Sequence, residues 1–195
     1  MSLQVRVLTG EALLAALEDL AGLRISVFRE FPYLYDGDLD YERRYMRSYA
    51  DSATAILVGA FAGERLVGAA TGTMMADHAG QFATPLKAAG LDIDECFYCA
   101  ESVLLPAYRG QGAGHRFFDL REDHGRRLGA KWSVFCAVQR PADHPRRPPD
   151  YRPHDAFWRK RGYAPLDGAI ARFSWRDLDE VAQSEKPLQV WARPL

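Results

Sequence analysis

Val103-Leu104-Leu105-Pro106-Ala107-Tyr108-Arg109-Gly110-Gln111-Gly112-Ala113-Gly114 joins an apolar run to a helix-forming one through a proline and three alternating glycines. Upstream, Cys96 to Leu105 is apolar on both parities apart from Glu101 and Ser102, the pattern of a central strand covered on both faces. Pro106 has no N–H for a sheet ladder and ends that strand. Downstream, Phe117, Leu120 and Leu128 recur at core spacing and predict a helix over 113–128. Glycines let the turn between them close tightly with its N–H groups exposed, and a helix start adds roughly half a positive charge there. Such a turn suits a diphosphate-like anion, with Arg109 adding a charge-assisted contact. Two other glycine loops do not fit: there is no G-K-[ST], and no first strand carries G-x-G-x-x-G with an acid some distance on. The remaining alternative is a glycine-rich turn with no ligand.

Working outward, residues 3–8 alternate apolar and polar as a first strand, ending at Thr9-Gly10, where Thr9 also stands as a cap for the next helix. That helix carries Leu13, Leu14, Leu17, Leu20 and then Ile25 or Phe28 on one face, and ends before Pro32. A short helix over 39–50 is built on Tyr41, Tyr45 and Tyr49, with Asp38 or Asp40 as its cap. Strand-like runs at 54–62 and 65–76 form a hairpin, and 77–92 reads as irregular. A fifth strand is expected at Lys131–Val138, a short helix at Asp155–Lys160 closed by Gly162, and two last strands at Ile170–Trp175 and Leu188–Trp191. The 139–153 loop holds five prolines, which makes it stiff as well as long.

At 195 residues, with 48% apolar and 26% charged content, the chain suits one compact domain spanning 1–195. Lys and Arg number 25 against 26 Asp and Glu, a net charge of −1 that argues against bulk nucleic acid or an anionic membrane as partner. No apolar run reaches the ~20 residues of a spanning helix, and the amino terminus lacks a secretory pattern, so a cytoplasmic location is expected. Three cysteines, Cys96, Cys99 and Cys136, read as reduced structural thiols. Cys96 and Cys99 spell C-x-x-C, but the five scattered histidines supply no matching ligand pattern, and no metal is assigned.

Arg109-x-x-Gly112-x-Gly114, with Pro106 ahead of it, resembles the R/Q-x-x-G-x-G/A loop of the GNAT superfamily of acyl-CoA-dependent N-acetyltransferases. The order of strands and helices is similar from about residue 3 to 176. The resemblance implies an α/β fold: a mixed, mostly antiparallel sheet flanked by helices, its central fourth and fifth strands splayed. It implies acetyl-CoA as donor and coenzyme A as product, with the pantetheine arm along Val103, Leu104 and Leu105. The diphosphate would lie on Arg109, Gly110, Gln111, Gly112, Ala113, Gly114 and His115. A second family feature, A-x-F-Y-x-x-x-G-F, stands here as Ala156-Phe157-Trp158-Arg159-Lys160-Arg161-Gly162-Tyr163. Phe157 and Trp158 would adjoin the cofactor, but Trp158 occupies the place of a tyrosine that often protonates the departing thiolate. Indole N–H is no useful acid, although a thiol of pKa ~8.5 leaves tolerably unaided.

Transfer to an amine of pKa ~10.4 needs the free base, present at neutral pH in about one molecule in 2,500. Glu101, a carboxylate in an apolar strand, is the candidate general base; the competing reading is a buried acid paired with an arginine or with backbone N–H groups. Tyr98, three residues earlier, falls on the opposite face unless a bulge intervenes. The resemblance places the segment after the first helix beside the acceptor, where Glu30, Tyr33, Tyr35, Asp36 and Asp38 suit a cationic small-molecule or peptide amine. A binding module that holds acyl-CoA as a sensor without turnover is the alternative. The apolar final strand around Val190 and Trp191 offers a route to a homodimer sheet.

Overall fold

The computed structural model describes residues 3–78 and 80–195. Its strands are β1 (Gln4–Leu8), β2 (Ile56–Ala62), β3 (Arg65–Met74), β4 (Cys96–Tyr98), β5 (Ser102–Leu104), β6 (Trp132–Val138), β7 (Ala164–Trp175) and β8 (Ser184–Pro194). They form one sheet in the order β1-β2-β3-β4-β6-β8-β7, with β5 also paired to β3. The β4–β6 pairing is parallel and the other named pairings are antiparallel. Helices α1 (Gly10–Phe28), α2 (Leu39–Asp51), α3 (Ala83–Ala88), α4 (Ala113–Arg127) and α5 (Asp155–Lys160) flank it.

Strand alternation divides the core between the two faces. On β2, Ile56 and Val58 join Phe117 and Phe118 of α4, whereas Leu57 joins Leu17, Leu20 and Leu23 of α1 and Met46 of α2. Gly125 lets α4 approach the sheet, since a Cβ there would lie 2.8 Å from the Phe97 ring. α3 adds Leu86 to a third cluster with Tyr98, Val134 and Val190. The helix faces differ in part from the sequence pattern. Leu14 is 57% exposed and Leu128 38%, while the buried faces turn onto Arg24 in α1 and onto Arg121 and Glu122 in α4. Thr9 precedes α1 without a side-chain cap, and Asp38 caps α2 through Tyr41 N–H at 2.7 Å.

Four expectations are corrected. The segment 77–92 holds α3 between turns of 3-10 helix, with Ala79 outside the described residues. The last two strands run well past Ile170–Trp175 and Leu188–Trp191. β8 lies between β6 and β7, so Val190 and Trp191 are interior and present no free sheet edge to a second copy. Finally, the fourth strand is not continuous.

Its interruption shapes everything nearby. Ala100 N–H donates to Thr71 O at 3.1 Å, and Glu101 O accepts from Thr71 N–H at 3.1 Å, so two residues oppose one. This is a β-bulge. It shifts the side-chain parity, and Tyr98 and Glu101 consequently line the same cavity rather than opposite faces. It also turns the chain: Cys99 N–H still reaches Val134 O at 2.8 Å, but beyond it β5 pairs with β3 and β6 with β8, leaving a wedge between β5 and β6. The expected splay of the fourth and fifth strands is this wedge.

Arg121 holds the bulge from beneath. Only 1% exposed, it donates to Thr71 O at 3.0 Å, Glu101 O at 2.9 Å, Ser102 Oγ at 2.8 Å and Phe117 O at 3.1 Å. Arg121→Met keeps the bulk and removes these charge-assisted bonds, so it should cost about 2–3 kcal/mol. Thermal denaturation should show a fall of roughly 5–10 °C. A melting temperature unchanged within about a degree would contradict this role.

Candidate active site

α1 ends at Phe28, and the chain crosses the sheet as a strap over 29–38. Several bonds fix that strap to the β7–β8 hairpin: Asp36 N–H donates to Arg176 O at 2.9 Å, Leu178 N–H to Leu34 O at 2.9 Å, and Trp175 Nε1 to Tyr33 O at 3.1 Å. Arg140, from the proline-rich loop, ties all three segments together. It donates to Pro32 O at 2.8 Å and Tyr33 O at 2.7 Å, and grips both oxygens of buried Asp177 at 2.7 and 2.9 Å.

Strap, α2, bulge and hairpin enclose a cavity of about 700 Å³. Arg24, Glu42 and Glu101 form its charged end, with Arg24 Nε on Glu42 at 2.5 Å and Nη1 on Glu101. All three are buried, at 8%, 0% and 7% exposure. Burial alone would weaken the Arg24 proton, but Glu101, Tyr45 and Glu42 beside it hold it firmly charged. Its guanidinium also lies 4.5 Å from the Tyr45 ring and 5.1 Å from that of Phe28. Tyr45 Oη donates to Glu101 Oε2 at 3.4 Å. Burial pushes the Tyr33, Tyr45 and Tyr98 phenols above their ordinary range, so they stay neutral donors.

Of the residues read from the sequence as lining the acceptor side, Tyr33, Tyr35, Asp36, Asp38 and Tyr98 face this cavity together with Glu101. Asp36 is engaged by Arg176 and, at 3.5 Å, by Arg29; Asp38 caps α2. Glu30 lies outside the cavity lining and pairs with Arg109 at 2.9 Å. Glu101 is paired with Arg24, as one of its two readings expects, and it lies on the wall of an open cavity.

The glycine turn adopts its left-handed positions at Gly110 (φ 77°) and Gly112 (φ 85°), the latter opening α4. His115 and Arg116 N–H donate to Gly112 O at 3.0 and 3.3 Å. Among the described residues no backbone carbonyl takes the amides of Gly110, Gln111, Gly112, Ala113 or Gly114. A smaller cavity of about 230 Å³ borders Gln111, Gly112, Ala113 and Arg116. Arg109 turns back to Leu104 O at 3.1 Å and Glu30, and the exposed His115 ring meets Arg161 at 3.2 Å. Val103 is fully buried in the α1 core, and Leu105 N–H is taken by Val67 O at 3.0 Å. By strand alternation the main-chain groups of Ser102 and Leu104 face the wedge. Phe157 packs on His115 at 4.8 Å and Phe118 at 5.9 Å. Trp158 packs on Phe135 at 4.9 Å and Trp191 at 5.2 Å.

Arg24, Glu42, Arg121 and Arg140 had no place in the sequence reading. One signal was available: Arg24 stands seven residues after Leu17 and four after Leu20, an arginine inside an apolar stripe, which implies a buried partner. Arg140 gave none, because its partners lie 37 and 107–108 residues away in sequence.

A family model described as Acetyltransferase (GNAT) family matches residues 20–148. Among curated proteins none matches the chain by sequence. Solved structures with a similar fold include the yncA protein of Salmonella typhimurium with its cofactor acetyl-CoA, at 12% identity and TM-score 0.62, covering 100% of this chain and 95% of that one. Ribosomal-protein-alanine N-acetyltransferase from Brucella melitensis is similar at 12% identity and TM-score 0.64, over 98% and 99% of the two chains. So is paia N-acetyltransferase from Thermoplasma acidophilum in complex with coenzyme A, at 12% identity and TM-score 0.56, over 100% of each. No described helix is long and apolar enough to cross a membrane, and no group of three or more His, Cys, Asp or Glu among the described residues is placed to hold a metal.

Cys136 lines the cavity, and burial pushes its thiol up to about 12; Cys96 is likewise raised to about 12, and Cys99 is raised by burial. A thiol of that pKa is ionised at pH 8 in about one molecule in 10,000. Native protein should therefore resist a disulfide reagent at pH 8, and all three thiols should react within minutes in denaturant. Rapid labelling of the folded protein would contradict these environments.

Proposed function

The chain belongs to the Acetyltransferase (GNAT) family, and we propose that it moves an acetyl group from acetyl-CoA directly to an amine held in the 700 Å³ cavity. One observation carries the reading: the bulge sets Glu101 where the β5–β6 wedge meets that cavity, between a donor channel and an acceptor chamber. The unbonded amides from Gly110 to Gly114, at the start of α4, support a diphosphate site. The Ser102 and Leu104 main-chain groups suit the amide-bearing arm of coenzyme A, once Arg109 releases Leu104 O.

Glu101 takes a proton from the incoming ammonium, leaving a free amine beside the thioester. Attack forms the C–N bond, and backbone N–H groups at the wedge stabilise the charge that develops on the carbonyl oxygen. Collapse breaks the C–S bond; the nitrogen loses its second proton and the thiolate gains one. Glu101 returns its own proton to solvent, so the cycle yields amide, coenzyme A and one proton. Arg24 holds the Glu101 carboxyl in position, and Glu42 keeps Arg24 in place.

Acetyl-CoA at ~100 times its Kd should stabilise the fold by ~2.7 kcal/mol, or roughly 5–10 °C in melting temperature. Gly112→Val, at φ 85°, should lose that gain, and retained binding would count against the loop. Glu101→Gln should still bind acetyl-CoA yet release thiol ~10²–10⁴ times more slowly at neutral pH, recovering in part as alkali frees the amine. Full activity at neutral pH would remove Glu101 as base.

A further inference from the structure

The charged end of the cavity is out of balance. Arg24 serves both Glu42 and Glu101, so two carboxyl groups share one guanidinium. Glu42 is fully buried, with Arg24 on its Oε2 and the Tyr35 hydroxyl beside its carboxyl, so Glu101 is the acid of the trio that a ligand in the cavity reaches. Elsewhere the lining acids are already spent, Asp36 on Arg176 and Arg29 and Asp38 on the cap of α2. The cavity therefore has a vacancy for one cationic group, at one end.

Aromatic rings make up much of the remaining wall, alongside polar groups such as Ser174, Arg176 and Gln183. Phe28, Tyr33, Tyr45, Tyr98, Phe173 and Trp175 face the chamber. Tyr33 sits 4.5 Å from Phe28 and 5.9 Å from Trp175, and Trp175 spends its N–H on Tyr33 O. Rings held this firmly offer flat faces to a flat ligand.

We propose that the acceptor is an arylalkylamine, a single ammonium on a short chain ending in an aromatic ring. This rests on the acetyl-transfer reading and narrows it. The ammonium enters against Glu101, with Glu42 buried behind Arg24, and the ring lies among Tyr33, Phe173 and Trp175. A polyamine would need a second unspent acid further along the chamber. An aminoglycoside carries several ammonium groups, and the chamber has one reachable unspent acid for them.

Thiol release from acetyl-CoA tests this with 2-phenylethylamine, butylamine, spermidine and kanamycin. The expected kcat/KM for 2-phenylethylamine is about tenfold or more above that for each of the others, in keeping with the usual worth of ring–ring contacts. Phe173→Leu should cut the preference for 2-phenylethylamine over butylamine at least about threefold, and Glu42→Gln should raise KM for 2-phenylethylamine about tenfold with a smaller change in kcat. Spermidine or kanamycin matching 2-phenylethylamine, or a preference and KM indifferent to both variants, would overturn the substrate class and leave acetyl transfer standing. No thiol release with any of the four, in protein that acetyl-CoA still stabilises, would overturn both.

Discussion

Ala100 and Glu101 together oppose Thr71, and from this single extra residue the site follows. Without it Glu101 would point away from Tyr98, and β5 would continue alongside β6 and close the wedge. The bulge persists because its carbonyls are held by a buried guanidinium: Arg121 reaches both Thr71 O and Glu101 O. A charge placed on neutral carbonyls is a costly device to bury, and it is repaid only when every donor is aimed. Arg121 reaches four acceptors, which fixes the bulge in one geometry.

The cavity beside it obeys the same economy. Arg24 would be intolerable alone at 8% exposure, and Glu42 and Glu101 are the partners that make its burial possible. Pairing one guanidinium with two carboxyls holds Arg24 charged while leaving the cluster attractive to a further cation. Arg140 does for the opposite wall what Arg121 does for the bulge. Its planar fork meets Asp177 with both terminal nitrogens and still reaches two strap carbonyls, so the strap and the β7–β8 hairpin form one wall.

Much of this was readable in advance because it is local. The run Cys96–Leu105, Pro106 and the glycines after it specify strand, stop and helix start within neighbouring residues, and the family likeness supplied the splay. The strap of Tyr33, Tyr35, Asp36 and Asp38 was legible as a cluster of acids and aromatics. What escaped depends on distant partners. A bulge at Ala100–Glu101 leaves no mark in the alternation of an all-apolar strand, since both parities look alike. Glu30 fits the composition of an acceptor site but turns to Arg109, 79 residues on. The final strand looked like an edge because chain order says nothing of which strand follows it across the sheet, and β7 takes that edge.

The account stands on a donor channel that begins at the glycine turn and ends at Glu101. A crystal structure with coenzyme A tests it most directly. It should place diphosphate oxygens within about 3.2 Å of the amide nitrogens between Gly110 and Gly114. The pantetheine arm should run between β5 and β6, and the sulfur should stand at the Glu101 end of the wedge. Coenzyme A bound elsewhere, or a wedge closed by side chains with the arm outside it, would contradict the account.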